Sequence, residues 1–274
     1  MPIFKCKTSE AYYIKILSEL LTNNIKTGYF SIDNTGINLR IMDHPQLTLI
    51  DLTLASDNFT SYKFQSNDKE KLCIGLNLNH FHKILKSIKK KDSLQMNINS
   101  DASDELQIKT IPKENTRTTT SYIKILNIQM IDIEIPSGYG RPIIVNSSEF
   151  QKMCKDICSI GSTNIKVVSR NFYIEFIADV DSIIKRSVSF GDEDEDDDDD
   201  DDSEEKKEEG GIESTFSTDQ LQRIMKISGL NTKLHIYTGK DLPILFRSNV
   251  GNLGIISVYL KSKEMIRKES TTNY

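Results

Sequence analysis

Seven basic side chains have the types and spacing that could do chemistry: Lys15, Lys83, Lys86, Lys152, Lys155, Arg223 and Lys226. In "FHKILKSI" (81–88) the apolar Phe81, Ile84, Leu85 and Ile88 follow the i, i+3, i+4, i+7 rule of one helical face. Lys83, Lys86 and Lys90 then gather on the opposite face, because each residue turns a helix by about 100°. "SEFQKMCKDI" (148–157) sends Phe150, Met153, Cys154 and Ile157 inward and Lys152 and Lys155 outward. "TDQLQRIMKIS" (218–228) sets Leu221, Ile224 and Met225 against Arg223 and Lys226, and "SEAYYIKILSELL" (9–21) is a weaker copy with Lys15. Ammonium and guanidinium groups aligned this way can contact phosphates and release counterions, which gives affinity without reading a base sequence. The bland alternative, that each lysine merely solvates its helix, weakens with recurrence. Lys15, Lys83, Lys152 and Arg223 follow one another at 68, 69 and 71 residues, the period of a repeat architecture. No exposed aromatic is expected among them, so a stacking platform for single strands is not suggested.

Bond-making chemistry finds no foothold. There is no GxxxxGK[ST] phosphate loop, no GxSxG elbow and no GxGxxG after a strand. The four cysteines (Cys6, Cys73, Cys154, Cys158) form no CxxC pair, and the four histidines show no zinc spacing. His80 and His82 stand at i and i+2 of a helix, which do not share a face, and read as ordinary helix residues. No metal, cofactor or catalytic residue is expected. No apolar run nears the ~20 residues of a membrane span, so a soluble, intracellular protein without a membrane partner is expected.

The net charge of −5 conceals a division. "DEDEDDDDDDDSEEKKEE" (192–209) holds fifteen acids and two lysines, a local −13 that leaves +8 for the remainder. So dense a run of like charge is expected to be disordered, and the folded part is basic.

The elements that must position the basic side chains alternate with the four helices. "GYFSIDNTGINLRIMD" (28–43) reads as two strands around the turn Asp33-Asn34-Thr35-Gly36. "QLTLIDLTL" (46–54), "SLQMNIN" (93–99), "NIKVVS" (164–169), "FYIEFIA" (172–178), "KLHIYT" (233–238) and "PILFRS" (243–248) are β-branched or alternating. Short one-sided helices need a sheet to lie on, which predicts an α+β architecture, mostly antiparallel, in two similar halves. The Pro- and Gly-bearing end of "LNIQMIDIEIPSGYGRP" (126–142) reads as the linker between them.

In order and spacing, "SIDNTGINLRIMD" (31–43), "GLNLNHFHKILK" (75–86), "DIEIP" (132–136), "SSEFQKMCKDICSIG" (147–161) and "DLPILF" (241–246) resemble the eukaryotic-type DNA sliding clamps, the proliferating cell nuclear antigen family. The resemblance spans nearly the whole chain and implies a DNA-clamp fold of two similar domains, each with two helices on antiparallel sheets, closed into a homotrimeric ring around double-stranded DNA. It implies an N-terminal domain 1–125, a connecting linker 126–142 and a C-terminal domain 143–274, with a disordered acidic loop at 190–211. The implied function is that of a replication processivity factor, not an enzyme. It would tether DNA polymerase and other replication and repair proteins, and be opened by a separate ATP-driven clamp loader. A clamp homologue acting in viral late transcription, or as a non-ring accessory factor, is the alternative. A nuclear location, or a cytoplasmic virus factory if the protein is viral, is expected. By position, the channel bases are Lys15, Lys83, Lys86, Lys152, Lys155 and Lys226. The partner-peptide pocket falls on Met42, Gln46, Ile133, Ile135, Pro243, Tyr259 and Leu260, and the trimer edges lie near 117–125 and 181–189. Lys261-Ser262 stands where the family usually has Ala-Pro, Gln46 replaces a common histidine, and Arg170 takes the place of a modified lysine.

Overall fold

The computed structural model describes residues 2–65, 70–114, 117–127, 132–191 and 211–272. The first half runs β1 (Pro2–Thr8), α1 (Ala11–Asn24), β2 (Thr27–Ile32), β3 (Gly36–Met42), β4 (Thr48–Ala55), β5 (Ser61–Phe64), β6 (Leu72–Asn77), α2 (Leu78–Leu85), β7 (Ser93–Asn99), β8 (Ala102–Ile111) and β9 (Thr119–Lys124). The second runs β10 (Ile143–Asn146), α3 (Ser147–Ser159), β11 (Asn164–Arg170), β12 (Tyr173–Val180), β13 (Ile184–Phe190), β14 (Ile212–Ser217), α4 (Thr218–Ile224), β15 (Lys233–Tyr237), β16 (Ile244–Asn249), β17 (Gly254–Leu260) and α5 (Lys263–Thr272). A 3-10 turn, Met225–Gly229, extends α4. The acidic run 192–209 and its expected disorder lie outside the described residues. Phe190, placed in that loop by the sequence, instead ends β13, where it pairs with Ile174.

Local chemistry sets the helix starts. Asn77 ends β6, and its side chain accepts from the His80 amide to open α2; Asn146 does the same for α3 through Ser148 N. Ser217 and Gln220 form a reciprocal capping box on α4. In the β2–β3 turn the Asp33 carboxylate accepts from the amides of Thr35, at 2.7 Å, and Gly36. Gly36 has φ 151°, and a Cβ there would stand 2.0 Å from the Leu54 carbonyl, so glycine is required.

Among the described residues the strands form three antiparallel sheets. One has the order β5-β1-β7-β8-β9, the central one β10-β15-β16-β17-β4-β3-β2-β6, and the third β13-β12-β11-β14. The order repeats. β1-β7-β8-β9 of the first half answers to β10-β15-β16-β17 of the second, and β4-β3-β2-β6 to β13-β12-β11-β14. Inside the chain the two kinds of unit meet at a seam, β17 against β4, paired over seven residues from Gly254↔Leu54 to Leu260↔Thr48. Their counterparts, β9 and β13, are sheet edges, as expected for residues 117–125 and 181–189.

The helices lie in one row, with α2 beside α1, α1 beside α4 and its 3-10 turn, and α3 beside both of these. At its ends α2 also touches β9, and α3 touches β13. Beneath the row Phe81, Leu85, Phe150, Ile157, Leu221 and Ile224 join the main core, as the i, i+3, i+4 spacing predicts.

Candidate nucleic-acid interface and peptide pocket

Six of the seven predicted basic residues stand on this helix row or its 3-10 turn and Lys86 caps the end of α2, but they are in different states. Lys83, Lys86 and Lys155 are exposed and carry no ion pair among the described residues. The others are held. Lys15 donates to the Ile88 carbonyl at 2.9 Å, spanning from α1 to the end of α2. Lys152 pairs with Glu149 at 2.8 Å, Arg223 with Asp219 at 2.6 Å and Lys226 with Glu19 at 2.9 Å. Pairs within reach of solvent are weak, so a phosphate can compete for the cation.

No exposed aromatic was expected among these cations, and the structure adds a half-buried one. The half-buried Tyr12 ring on α1 has the Lys15 and Lys90 ammonium groups each 5.8 Å from its centroid. His82, read as an ordinary helix residue, turns toward α1 with Nδ1 3.0 Å from Ser18 Oγ. Among the described residues no group of three or more His, Cys, Asp or Glu side chains could hold a metal ion.

On the outer face of the central sheet a second apolar cluster forms, separate from the main core. Leu49, Leu245 and Tyr259 are its buried floor, with Met42, Ile133, Ile135, Tyr139 and Tyr237 packed against them. Strand register explains the floor. Tyr237, Leu245, Tyr259, Leu49 and Met42 are direct cross-strand neighbours over β15, β16, β17, β4 and β3. Two residues along, His235, Arg247, Ser257, Asp51 and Arg40 make a polar row on the same face. The described linker residues Ile133 to Tyr139 lie across both rows, and 128–131 of the expected linker fall outside the described residues. Arg40 pairs with Asp51 at 3.0 Å and donates to the Ile133 carbonyl at 3.2 Å. Tyr139 donates to the Pro243 carbonyl at 2.7 Å, and its ring sits 6.1 Å from Tyr237 and 6.2 Å from Tyr259. Burial raises the Tyr139 hydroxyl pKa, so it remains a donor.

Met42, Ile133, Ile135 and Tyr259 are therefore brought together in one cluster, and Pro243 supplies a carbonyl at the margin. Leu260 is not part of the cluster. Strand alternation turns it to the opposite face, into the main core at 2% exposure. Gln46 is exposed in the β3–β4 turn at φ 58° and lies outside the cluster. Sequence reasoning missed Leu49, Tyr237, Leu245 and Tyr139. The first three share the period-two alternation of Met42 and Tyr259, a signal that was present in the strands.

After Lys261, whose amide extends the seam by donating to the Leu47 carbonyl, the chain turns away from the pocket. Buried Ser262 starts α5 by accepting from the Met265 amide. α5 then runs along the edge of β14, where Glu264 accepts from Thr215 N at 3.0 Å and Lys268 pairs with Asp241.

Comparison with known proteins accords with this geometry. The family model "Proliferating cell nuclear antigen, N-terminal domain" matches residues 3–135, and "Proliferating cell nuclear antigen, C-terminal domain" matches 134–263. A "Probable DNA polymerase sliding clamp 1" from Paramecium bursaria Chlorella virus 1 is 23% identical over 258 residues, 93% of this chain and 94% of that protein. The proliferating cell nuclear antigen of Dictyostelium discoideum is 22% identical over 262 residues, 95% and 99% of the two chains. The crystal structure of the Entamoeba histolytica antigen shares the fold, with a TM-score of 0.78 at 19% identity, covering 96% of this chain and 100% of that one. With two family models running without a break from residue 3 to residue 263, over a fold of helices laid on antiparallel sheets, the chain belongs to the proliferating cell nuclear antigen family of sliding clamps, which are non-enzymatic scaffolds.

Proposed function

We propose that three copies of this chain close into a ring around duplex DNA and act as a replication processivity factor. The observation that carries the reading is the helix row, which reaches from one sheet edge, β9, to another, β13. The β17–β4 seam is a template for joining such edges head to tail. Repeating it between copies sets α3 of one beside α2 of the next, and the row becomes a continuous basic lining. Lys83, Lys86 and Lys155 would then meet phosphates directly, and Lys15, Lys152, Arg223 and Lys226 by exchanging their present partners. Contacts of this kind are non-specific and allow sliding.

The outer cluster is the proposed dock for partner proteins, DNA polymerase and the clamp loader among them. A short apolar peptide would lie against Met42, Ile133, Ile135 and Tyr237, over the floor of Leu245 and Tyr259. Tethering through that dock raises the effective concentration of a polymerase at its primer.

Light scattering during chromatography tests the ring: a species near three times the 31.2 kDa chain mass is expected. Stimulation of a polymerase on primed circular DNA, with loader and ATP supplied, tests the function. A strict monomer at micromolar concentration would overturn the ring and favour a non-ring accessory factor.

A further inference from the structure

We propose that His82 is a proton-gated phosphate contact: its Nε2 takes up a proton as duplex DNA enters, so the hold on DNA tightens as the solution is acidified. This rests on the reading of the helix row as the surface that faces DNA.

Two hydrogen bonds fix which nitrogen carries the proton. Ser18 Oγ lies 2.6 Å from the Lys15 carbonyl, which can only accept, so the one hydroxyl proton is committed there. The contact between Ser18 Oγ and His82 Nδ1, 3.0 Å, must then run the other way, with Nδ1–H as donor. A neutral ring with its hydrogen on Nδ1 has a bare lone pair on Nε2, on the side away from Ser18. Nε2 has no hydrogen-bond partner among the described residues. A bare nitrogen repels a phosphate oxygen; a protonated one donates to it.

The charges facing the ring decide which form is present. Glu19 and Lys15 look at it from α1, Lys226 from the 3-10 turn after α4, and Lys86 from its own helix. Burial holds the imidazole below its usual range; the Glu19 carboxylate opposes it, and the ammonium groups of Lys86, Lys15 and Lys226 add to the lowering. Glu19 is itself committed to Lys226 at 2.9 Å. Without DNA the ring is therefore neutral near pH 7. Phosphates arriving at Lys15, Lys86 and Lys226 cancel the three cations that keep the proton off, and Nε2 gains an acceptor to bind. DNA thus raises the affinity of His82 for a proton, and by reciprocity the proton raises the affinity for DNA. The gain sets in as the pH falls through the DNA-bound titration point and levels off below that of the free protein.

The test uses the full chain, a fluorescein-labelled duplex at fixed low salt, and anisotropy between pH 5.5 and 8. Wild type is compared with His82→Asn, whose amide can still donate to Ser18 but cannot titrate, and with His80→Gln as a control on the same helix. If DNA shifts the titration by about one unit, wild type should gain up to about tenfold in affinity on acidification beyond any gain in His82→Asn. His80→Gln should behave as wild type. Equal pH dependence in wild type and His82→Asn overturns the proposal while leaving the ring reading intact. Loss of all DNA binding, in wild type too, removes the ring reading and this one with it. Should His82→Asn fail to fold, the ring-proton NMR titration of His82 in wild type, with and without duplex, gives the same answer. An unmoved midpoint refutes it.

Discussion

Truncating both sheet edges, as Tyr122→Ala with Ile184→Ala, should dissociate the proposed ring without unfolding the chain. Tyr122 is 59% exposed on β9 and Ile184 50% exposed on β13, so about half of each side chain remains to be covered by a neighbouring copy. Full burial of a large apolar side chain is worth about 1.5–3 kcal/mol, so each half contributes about 1 kcal/mol and each junction loses about 2 kcal/mol. Three junctions lose about 6 kcal/mol. Because trimer formation depends on the square of concentration beyond the first power, the midpoint concentration should rise by roughly two orders of magnitude. Sedimentation velocity over a dilution series would read that shift. A thermal melt by circular dichroism serves as control, since exposed substitutions of this kind move fold stability by only about 0.5 kcal/mol. An unmoved midpoint with an intact fold would refute the pairing of β9 with β13, however well the rest of the architecture fits.

Other perturbations address the two surfaces and the core. Replacing Lys83 and Lys152 by Glu should weaken duplex binding and flatten its salt dependence by a slope of about 2, with the ring mass unchanged; an unchanged slope removes these residues from the interface. Ile133→Ala should cost at least tenfold in affinity for a polymerase-derived partner peptide, measured by anisotropy. Full-strength binding would move the dock elsewhere. Asn146→Ala should cost about 1 kcal/mol by removing the cap of α3, seen as a lowered Tm, and an unchanged melt would mean that the cap is not needed. Thiol labelling at pH 8 should reach exposed Cys73 first, while burial protects Cys154 and pushes Cys6 up to about 12; rapid reaction of all four would contradict the packing.

Much of this fold could be read before any coordinates. The helix faces were legible because a period near 3.6 is a local property: Phe150, Met153, Cys154 and Ile157 announce their side of α3 unaided. The turn at Asp33–Gly36 was legible for the same reason. The outer cluster was only partly so. Met42 and Tyr259 were found through resemblance, whereas Leu245 and Leu49 become pocket floor only because β16, β17 and β4 are paired in one register, a relation between residues about 200 positions apart. Leu260 was misassigned for lack of that register. α5 was missed because its two apolar residues, Met265 and Ile266, make a weak periodic signal. Its anchors, Glu264 on Thr215 and Lys268 on Asp241, are distant in the chain. His82 shows the same limit, since its neighbours come from three separate elements.

The β17–β4 seam has a mechanical consequence. A closed trimer would hold six joints of one strand geometry, alternately welded and bolted. Prising apart a joint inside a chain means breaking a seven-residue ladder and also peeling the Ile133–Tyr139 strap, with its Arg40 and Tyr139 fastenings, from the sheet. In the proposed ring a joint between chains would carry no such strap. A force that opened that circle would then part it at a subunit boundary, leaving each chain whole.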